Sequence, residues 1–376
     1  MEPNQRTGIL PKLKVMTILG TRPEIIRLSR ILPLLDTYTD HRVIYTGQNF
    51  DVNLSSIFWD QLHLRSPDYE LECTTTSLGG FIADMYLKLE PILKSELPDV
   101  MVILGDTNSS LSAYLAKRYR IKIIHIEAGN RCFSDDVPEE VNRRVIDHLA
   151  DLNLVYSEQA RRNLLAEGIH PSSIFLVGSP MFEVLDFYAP EVDRSSILSD
   201  LHLHPQSYFV ASIHREETVD HAERLKSVIE GLRLVSVTYD QPVIFSMHPR
   251  TRKRLESTGL MGQLSEFSRI HEPFGLFDYL QLQRQATCVL SDSGTLSEES
   301  AIMGFPAVLV RGETERQEAL DSGTVSVSGY KDVDIVRNVE VAINYTKFSG
   351  TKRIIPDEYR IPDTSWRTLR HIMGTV

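Results

Sequence analysis

Short apolar runs that end on a glycine or a charged residue and lead into a helical pattern recur along the chain. That alternation constrains the fold more than any other feature. Lys14–Leu19, Arg42–Tyr45, Asp99–Leu104, Ile123–Ile126, the neighbourhood of Asp151–Tyr156, and Ile174–Val177 read as strands. After them the rhythm loosens over Tyr188–Pro205, where Pro, Asp and Ser accumulate. It then restarts with Tyr208–Ile213, Val243–Met247, Ser268–His271, Thr287–Ser291 and Ala307–Val310. Strands separated by helices imply parallel sheets, because a parallel neighbour needs a crossover. We expect an α/β protein of two Rossmann-like domains facing across a cleft, residues 1–190 and 191–376, with the last helix free to pack back on the first domain. Leu78–Leu97 is amphipathic, and Val333–Tyr345 and Ser365–Met373 read as closing helices.

The stretch Ile123–Leu149 shows how such a unit carries chemistry. The strand ends at Glu127, a glycine-containing loop follows, and a helix opens at Pro138 with Glu139 and Glu140 in its first turn. Val141, Val145, Ile146 and Leu149 fall at helical spacing and are expected to form its buried stripe. Glu139 and Glu140 read equally well as helix-start residues or as functional carboxylates. In an open α/β sheet, ligands bind at the carboxyl ends of strands. Arg22 of Gly20-Thr21-Arg22-Pro23-Glu24, Asp106 and Glu127 all stand there. A turn arginine is commonly a surface ion pair, and Asp106 could simply cap a helix. Repetition favours a site, since charges gathered on one rim are costly to desolvate without a ligand.

The second half repeats the arrangement. His214 and Arg215 follow one strand, His248 and Arg250 another, and Asp292-Ser293-Gly294-Thr295 a third, with Glu298 and Glu299 on the next helix. Ser293, Gly294 and the helix start behind them suit a diphosphate, because backbone N–H groups there aim at an anion. A later glutamate can accept from two ribose hydroxyls. His248 is alternatively a core histidine, and His214 a polar strand end. Neither GxGxxG nor a Walker loop is present, so neither dinucleotide nor ATP binding follows. HxxH, HExxH and clustered Asp runs are also missing, and no metal site is expected.

Totals narrow the class further. Net charge is −11, which argues against nucleic acid or an anionic membrane as partner. The three cysteines, Cys73, Cys132 and Cys288, are widely spaced, as in a reducing compartment. Met1–Leu13 is polar, and no apolar run reaches the roughly 20 residues of a spanning helix. A cytoplasmic protein is expected.

Taken in order, GTRPE, GDTNS, HIEAGNR, PEEVNRR, His214-Arg215, HPRTR, DSGTLSEE and TERQEA resemble the non-hydrolysing UDP-N-acetylglucosamine 2-epimerases from about Lys14 to the Gly323 region. The resemblance implies a glycosyltransferase-B fold, a homodimer, and inversion at C2 of a UDP-linked 2-acetamido sugar without metal or nicotinamide cofactor. It implies that Asp106, Glu127 and Glu139 are catalytic carboxylates with His214 near the departing diphosphate. Arg22, Arg27, Arg215, His248, Ser293, Gly294, Glu299, Arg316 and Glu318 are implied to bind the UDP-sugar. Arg27 stands where many members carry lysine. A finer likeness, through GTRPEIIRLS, EAGNRCF and GSPMFEVL, is to the branch acting on UDP-2-acetamido-2,6-dideoxy-L-talose; Asp135-Asp136 depart from that branch. TGQNFD departs from the QHR-type segment of substrate-activated members. A UDP-sugar-dependent glycosyltransferase, a hydrolysing epimerase and a non-catalytic sugar-nucleotide regulator are the competing readings.

Overall fold

The computed structural model describes residues 11–48, 58–74, 76–134, 136–349 and 355–375. Within them lie two parallel sheets. The first holds β1 (Lys14–Leu19), β2 (Asp40–Tyr45), β3 (Tyr69–Glu70), β4 (Val100–Leu104), β5 (Lys122–Ala128), β6 (Leu152–Val155) and β7 (Ile174–Leu176), in the order 3-2-1-4-5-6-7. The second holds β8 (Phe209–Ser212), β9 (Val243–Ser246), β10 (Ser268–His271), β11 (Cys288–Ser291), β12 (Ala307–Leu309) and β13 (Ser326–Val327), in the order 10-9-8-11-12-13. In both, the strand order reverses beside the first strand of the sheet, where doubly wound folds bind ligands. The switch points lie between β1 and β4, and between β8 and β11.

Burial on both faces explains the strand sequences. Every residue of β4, Val-Met-Val-Ile-Leu, is buried, as expected of a central parallel strand. Met16, Ile18, Met101 and Ile103 pack against Phe81, Met85, Leu89 and Leu93, which recur every four residues along the helix Leu78–Glu96. Each such side chain contributes about 1.5–3 kcal/mol by leaving water. In the second unit, Leu225, Val228, Ile229 and Leu232 of the helix Ala222–Tyr239 pack on Phe209, Ala211 and Phe245.

Contacts divide the chain into two compact units. One contains the chain up to Gly129, Val141–Pro180 and the chain from Asp363 onward; the other contains Asn130–Glu140 and Met181–Pro362. The chain changes unit at Pro180–Met181, ahead of the loosened Tyr188–Pro205 stretch. The helix Met181–Phe187 packs on the second unit's helix Leu296–Met303, and Ile197 and Leu203 join the core around Tyr208 and Val210. The helix Thr364–Met373 belongs to the first unit, where the Thr364 hydroxyl donates to the Val177 carbonyl at 3.1 Å.

Several local expectations differ from what is observed. The helix after Gly20 is two helices, Arg22–Leu28 and Leu32–Tyr38. Pro33 has no N–H to donate and stands in the first turn of the second helix, where that N–H would have no helical partner. The short edge strands β3 and β13 carry too few residues for a periodic signal. In the helix Glu139–Leu149, Val141 and Val145 are exposed (63% and 41%), while Arg143, Ile146 and Asp147 are buried. That helix turns a partly polar face inward because Arg143 meets Asp106 in the loop after β4 and Asp147 meets His125 of β5. Asn49–Asp51 of TGQNFD, Asp135, and part of the helical pattern expected up to Leu62 lie outside the described residues. No helix among the described residues is long and apolar enough to cross a membrane.

Candidate active site

The end of β1 is organised by Glu24. Its carboxylate accepts from the N–H of Gly20 (3.0 Å), the N–H of Thr21 (2.7 Å) and the Thr21 hydroxyl (2.7 Å). Its other oxygen accepts from the Thr107 hydroxyl at 3.1 Å, which ties the loop after β1 to the loop after β4. Glu24 thus secures both sides of the switch point that carries Arg22 and Asp106. Burial pushes its carboxyl up to about 7, against the hydrogen bonds from Thr21, Gly20 and Thr107 that hold it down.

Below 4.5 the group is protonated in both the folded and the unfolded chain. Between there and about 7 the folded chain keeps a proton that the unfolded chain has lost, so stability falls as pH rises. Above that window the loss is complete. A shift of this size corresponds to about 3 kcal/mol. Glu24→Gln, which cannot ionise, should therefore gain about 3 kcal/mol relative to the parent between pH of roughly 4.5 and 7.5. Urea denaturation of both proteins across that range checks it, and parallel pH curves would contradict it.

Glu127 ends β5 in an unusual backbone conformation. Its φ is +73°, and the register with β6 shifts between Ile126 and Ala128. A left-handed non-glycine residue costs of order 1–3 kcal/mol and persists where surrounding structure enforces it. This bulge re-aims the side chain so that its carboxylate lies 3.7 Å from the Arg27 guanidinium, which also sits 5.7 Å from the centre of the Tyr156 ring. Asp106 is held from the next element. Arg143 reaches its Oδ2 through Nε at 2.9 Å and Nη2 at 2.7 Å, and Asn142 donates to the Asp106 carbonyl at 2.9 Å. Arg22 is half-buried, 5.7 Å from the centre of the Phe58 ring. Within the first unit, then, Arg22, Arg27, Asp106 and Glu127 stand at the carboxyl ends of three neighbouring strands.

In the second unit the keystone is Asp292, fully buried at the end of β11. Its carboxylate accepts from the N–H of His214 (3.0 and 2.9 Å) and of Arg215 (2.8 Å), and the His214 Nδ1 lies 3.1 Å away. Burial would raise the Asp292 carboxyl, but the His214 imidazole and these N–H donors outweigh it and hold the group below the usual carboxylate range. The His214 and His248 rings lie 5.6 Å apart, and His248 accepts the Arg250 N–H at its own helix start (3.2 Å).

Arg215 is enclosed by Glu139, Glu217 and Glu315, each 4.0 Å away. Burial alone would favour loss of its charge; Glu315, Glu139, Glu217 and Asp292 reverse that and keep it firmly protonated. A Cβ on Gly294 would come within 2.6 Å of Glu315 Oε1 and 3.4 Å of Arg215 Nη2. A larger residue there would require the Glu315 carboxylate to shift. The loop Ser293–Thr295 and the helix Leu296–Met303 after it therefore present backbone beside Arg215 and a hydroxyl pair, Ser293 with Thr295 at 3.1 Å.

Other expected binders have interior partners. Glu299 accepts from the Gln283 amide at 2.9 Å. Arg316 lies 3.4 Å from Glu298, and Glu318 accepts from the Tyr359 hydroxyl at 2.7 Å, with burial pushing the Glu318 carboxyl up against the pull of Arg316. Sequence reasoning did not assign Glu24, Arg143, Asp292, Glu315 or Glu217. Asp292 and Glu24 carried a usable signal, since each stands in a strand-end motif like that of Asp106. Arg143 lies within PEEVNRR, but its partner Asp106, 37 residues away in sequence, is not legible from that motif.

A family model described as UDP-N-acetylglucosamine 2-epimerase matches residues 35–373 of this chain. A UDP-N-acetylglucosamine 2-epimerase of Methanocaldococcus jannaschii is 36% identical over 344 residues, covering 88% of this chain and 93% of the relative. A UDP-2,3-diacetamido-2,3-dideoxy-D-glucuronate 2-epimerase of Pseudomonas aeruginosa is 32% identical over 340 residues, covering 89% and 93%. The crystal structure of the M. jannaschii UDP-GlcNAc 2-epimerase in complex with UDP-GlcNAc and UDP superposes with a TM-score of 0.90 at 34% identity, covering 96% of this chain and 100% of that one. With two parallel α/β units of this topology and matches along nearly the whole chain, the protein belongs to the UDP-N-acetylglucosamine 2-epimerase family of isomerases.

Proposed function

We propose that this chain inverts C2 of a UDP-linked 2-acetamido sugar by eliminating UDP and adding it back. The hydrogen at C2 is hardly acidic while C1 is bonded to the diphosphate. When that C1–O bond breaks, its electron pair leaves with UDP, C1 gains positive character, and a base removes the C2 proton to leave a 2-acetamidoglycal. Return of the diphosphate oxygen to C1, with a proton delivered to C2 from the other face, completes the inversion. Asp106, Glu127 and Glu139 act on the sugar as base, acid and stabilisers of the developing charge. His214, Arg215, His248, Ser293, Gly294 and Arg22 hold the departing diphosphate, Glu299 the ribose, and Arg27, Arg316 and Glu318 complete the binding set.

The observation that carries this reading is Glu127, held in a left-handed bulge with its carboxylate against Arg27 and beside the Asp106 loop. Backbone strain of this kind clusters at functional sites, and a positioned carboxylate can transfer a proton. The ligands named for the M. jannaschii structure support a UDP-sugar as substrate. The competing substrates are UDP-N-acetylglucosamine and the UDP-6-deoxy-L-talose derivative, in a homodimer feeding cytoplasmic polysaccharide precursor synthesis.

The test is incubation in deuterated water with each UDP-sugar, without added metal or nicotinamide. Deuterium at C2 of an epimerised, still UDP-linked product is expected with one of them. Release of free UDP and sugar would favour a hydrolysing enzyme, and transfer of labelled sugar to an acceptor a glycosyltransferase.

A further inference from the structure

One polar side chain interrupts the apolar run of β5. His125 lies between Ile124 and Ile126 and is fully buried. Its Nε2 is 2.9 Å from the Gly105 carbonyl, and its Nδ1 is 2.8 Å from Asp147 Oδ1 on the helix Glu139–Leu149. Asp147, equally buried, also accepts the Gly129 N–H, at 3.3 and 3.2 Å from its two oxygens. The Asn153 amide donates to the Asp147 carbonyl at 3.0 Å, which anchors the helix from β6 as well. The Gly105 carbonyl can only accept, so Nε2 donates to it, and Nδ1 shares a hydrogen bond with the Asp147 carboxyl; the ring bridges the end of β4 to the helix as a buried strut.

The positions this strut secures are not arbitrary. Gly105 directly precedes Asp106, and Gly129 lies two residues after Glu127. Both glycines have positive φ, +72° and +80°, and the Gly105 N–H donates to the Ile126 carbonyl at 2.9 Å. One turn earlier on the same helix, Arg143 grips the Asp106 side chain. A single helix face thus holds the Asp106 side chain directly, and through Asp147 and His125 the backbone on either side of the two carboxylates.

We propose that His125 and Asp147 are positioning residues that act as one unit to set the relative placement of Asp106 and Glu127. The proposal rests on the catalytic reading of those two carboxylates. A neutral apolar ring at 125 would fill the space but leave the Gly105 carbonyl and the Asp147 carboxylate buried without their ring partner. The chemical step, not UDP affinity, would bear the cost, because small misplacements of reacting groups lower rates steeply.

The experiment compares the parent with Asp147→Asn, His125→Gln and the double variant. Turnover should fall by about tenfold to a hundredfold in each single variant. KM for the UDP-sugar and the Kd for UDP should stay within about threefold, and the double variant should be no slower than the worse single one. Hydrogen exchange read by mass spectrometry should rise in peptides spanning 104–109 and 125–130 of the variants. Normal turnover, additive losses or unchanged exchange in these peptides would overturn the proposal. If the variants do not fold, nitrogen-15 spectra of the parent decide: a slowly exchanging Nε2–H proton on His125 upholds the strut, and its absence or rapid exchange overturns it. The exchange and nitrogen-15 measurements need no turnover. A parent that fails to incorporate deuterium at C2 therefore refutes the epimerase reading without touching the strut.

Discussion

Glu127→Gln should lose deuterium incorporation at C2, with turnover down by about 10²–10⁴-fold, the range by which a positioned acid or base accelerates proton transfer. Glutamine preserves the shape of the side chain and does not disturb the backbone, so the bulge between Ile126 and Ala128 should survive. What it removes is the anion 3.7 Å from Arg27. Most of the groups proposed to hold UDP lie in the second unit and Glu127 is not among them, so UDP affinity measured by calorimetry should change by less than about threefold. The contrast between the two measurements is the point. A variant that turns over normally would refute the assigned role, and one that loses UDP binding in proportion would make Glu127 a binding residue instead.

A different failure is expected for Asp292→Ala. The carboxylate is fully buried and satisfies the N–H groups of His214 and Arg215 together with the His214 ring. Truncation leaves those donors buried without an acceptor and removes one of four carboxylates that keep Arg215 charged. Breaking a buried, charge-assisted arrangement costs about 3–5 kcal/mol, so thermal unfolding should shift down markedly and UDP binding should weaken with it. Asp292→Asn, which keeps one acceptor, should lose less. Because the folded group titrates below its usual range, its stabilising effect is present at neutral pH and is lost as pH falls through the folded value. The Ala variant should accordingly show less acid sensitivity than the parent below pH of about 4. Equal acid unfolding curves would contradict the role given to this residue.

Much of this was legible in the residues alone. The strand boundaries of β1 and β10 coincide with the apolar runs, and those of β4, β8, β9, β11 and β12 fall within a residue or so of them. All of these but β10 are buried along most of their length and marked by continuous apolarity; β10, Ser-Arg-Ile-His, is an edge strand with none of its residues buried. The strand-end positions of Arg22, Asp106, Glu127, His214 and Ser293 were legible for the same reason: a charged or small polar residue after such a run can only emerge at the sheet's carboxyl edge. Val141 and Val145 show where periodicity misleads. Their spacing is that of a buried stripe, yet the helix buries Arg143 and Asp147, because polar partners in the loop after β4 and on β5 outweigh the gain from covering two valines.

The chain itself determined the layer architecture and the residues offered at each strand end, since both follow from local patterns of burial and turn chemistry. Only the tertiary structure decided which of them are held, and by what. The left-handed turn at Glu127, the grip of Arg143 on Asp106, the bridge of Glu24 from β1 to β4 and the junction at Asp292 all join residues brought together by strand order. Such pairings depend on crossovers in a parallel sheet, and no period along the sequence encodes them.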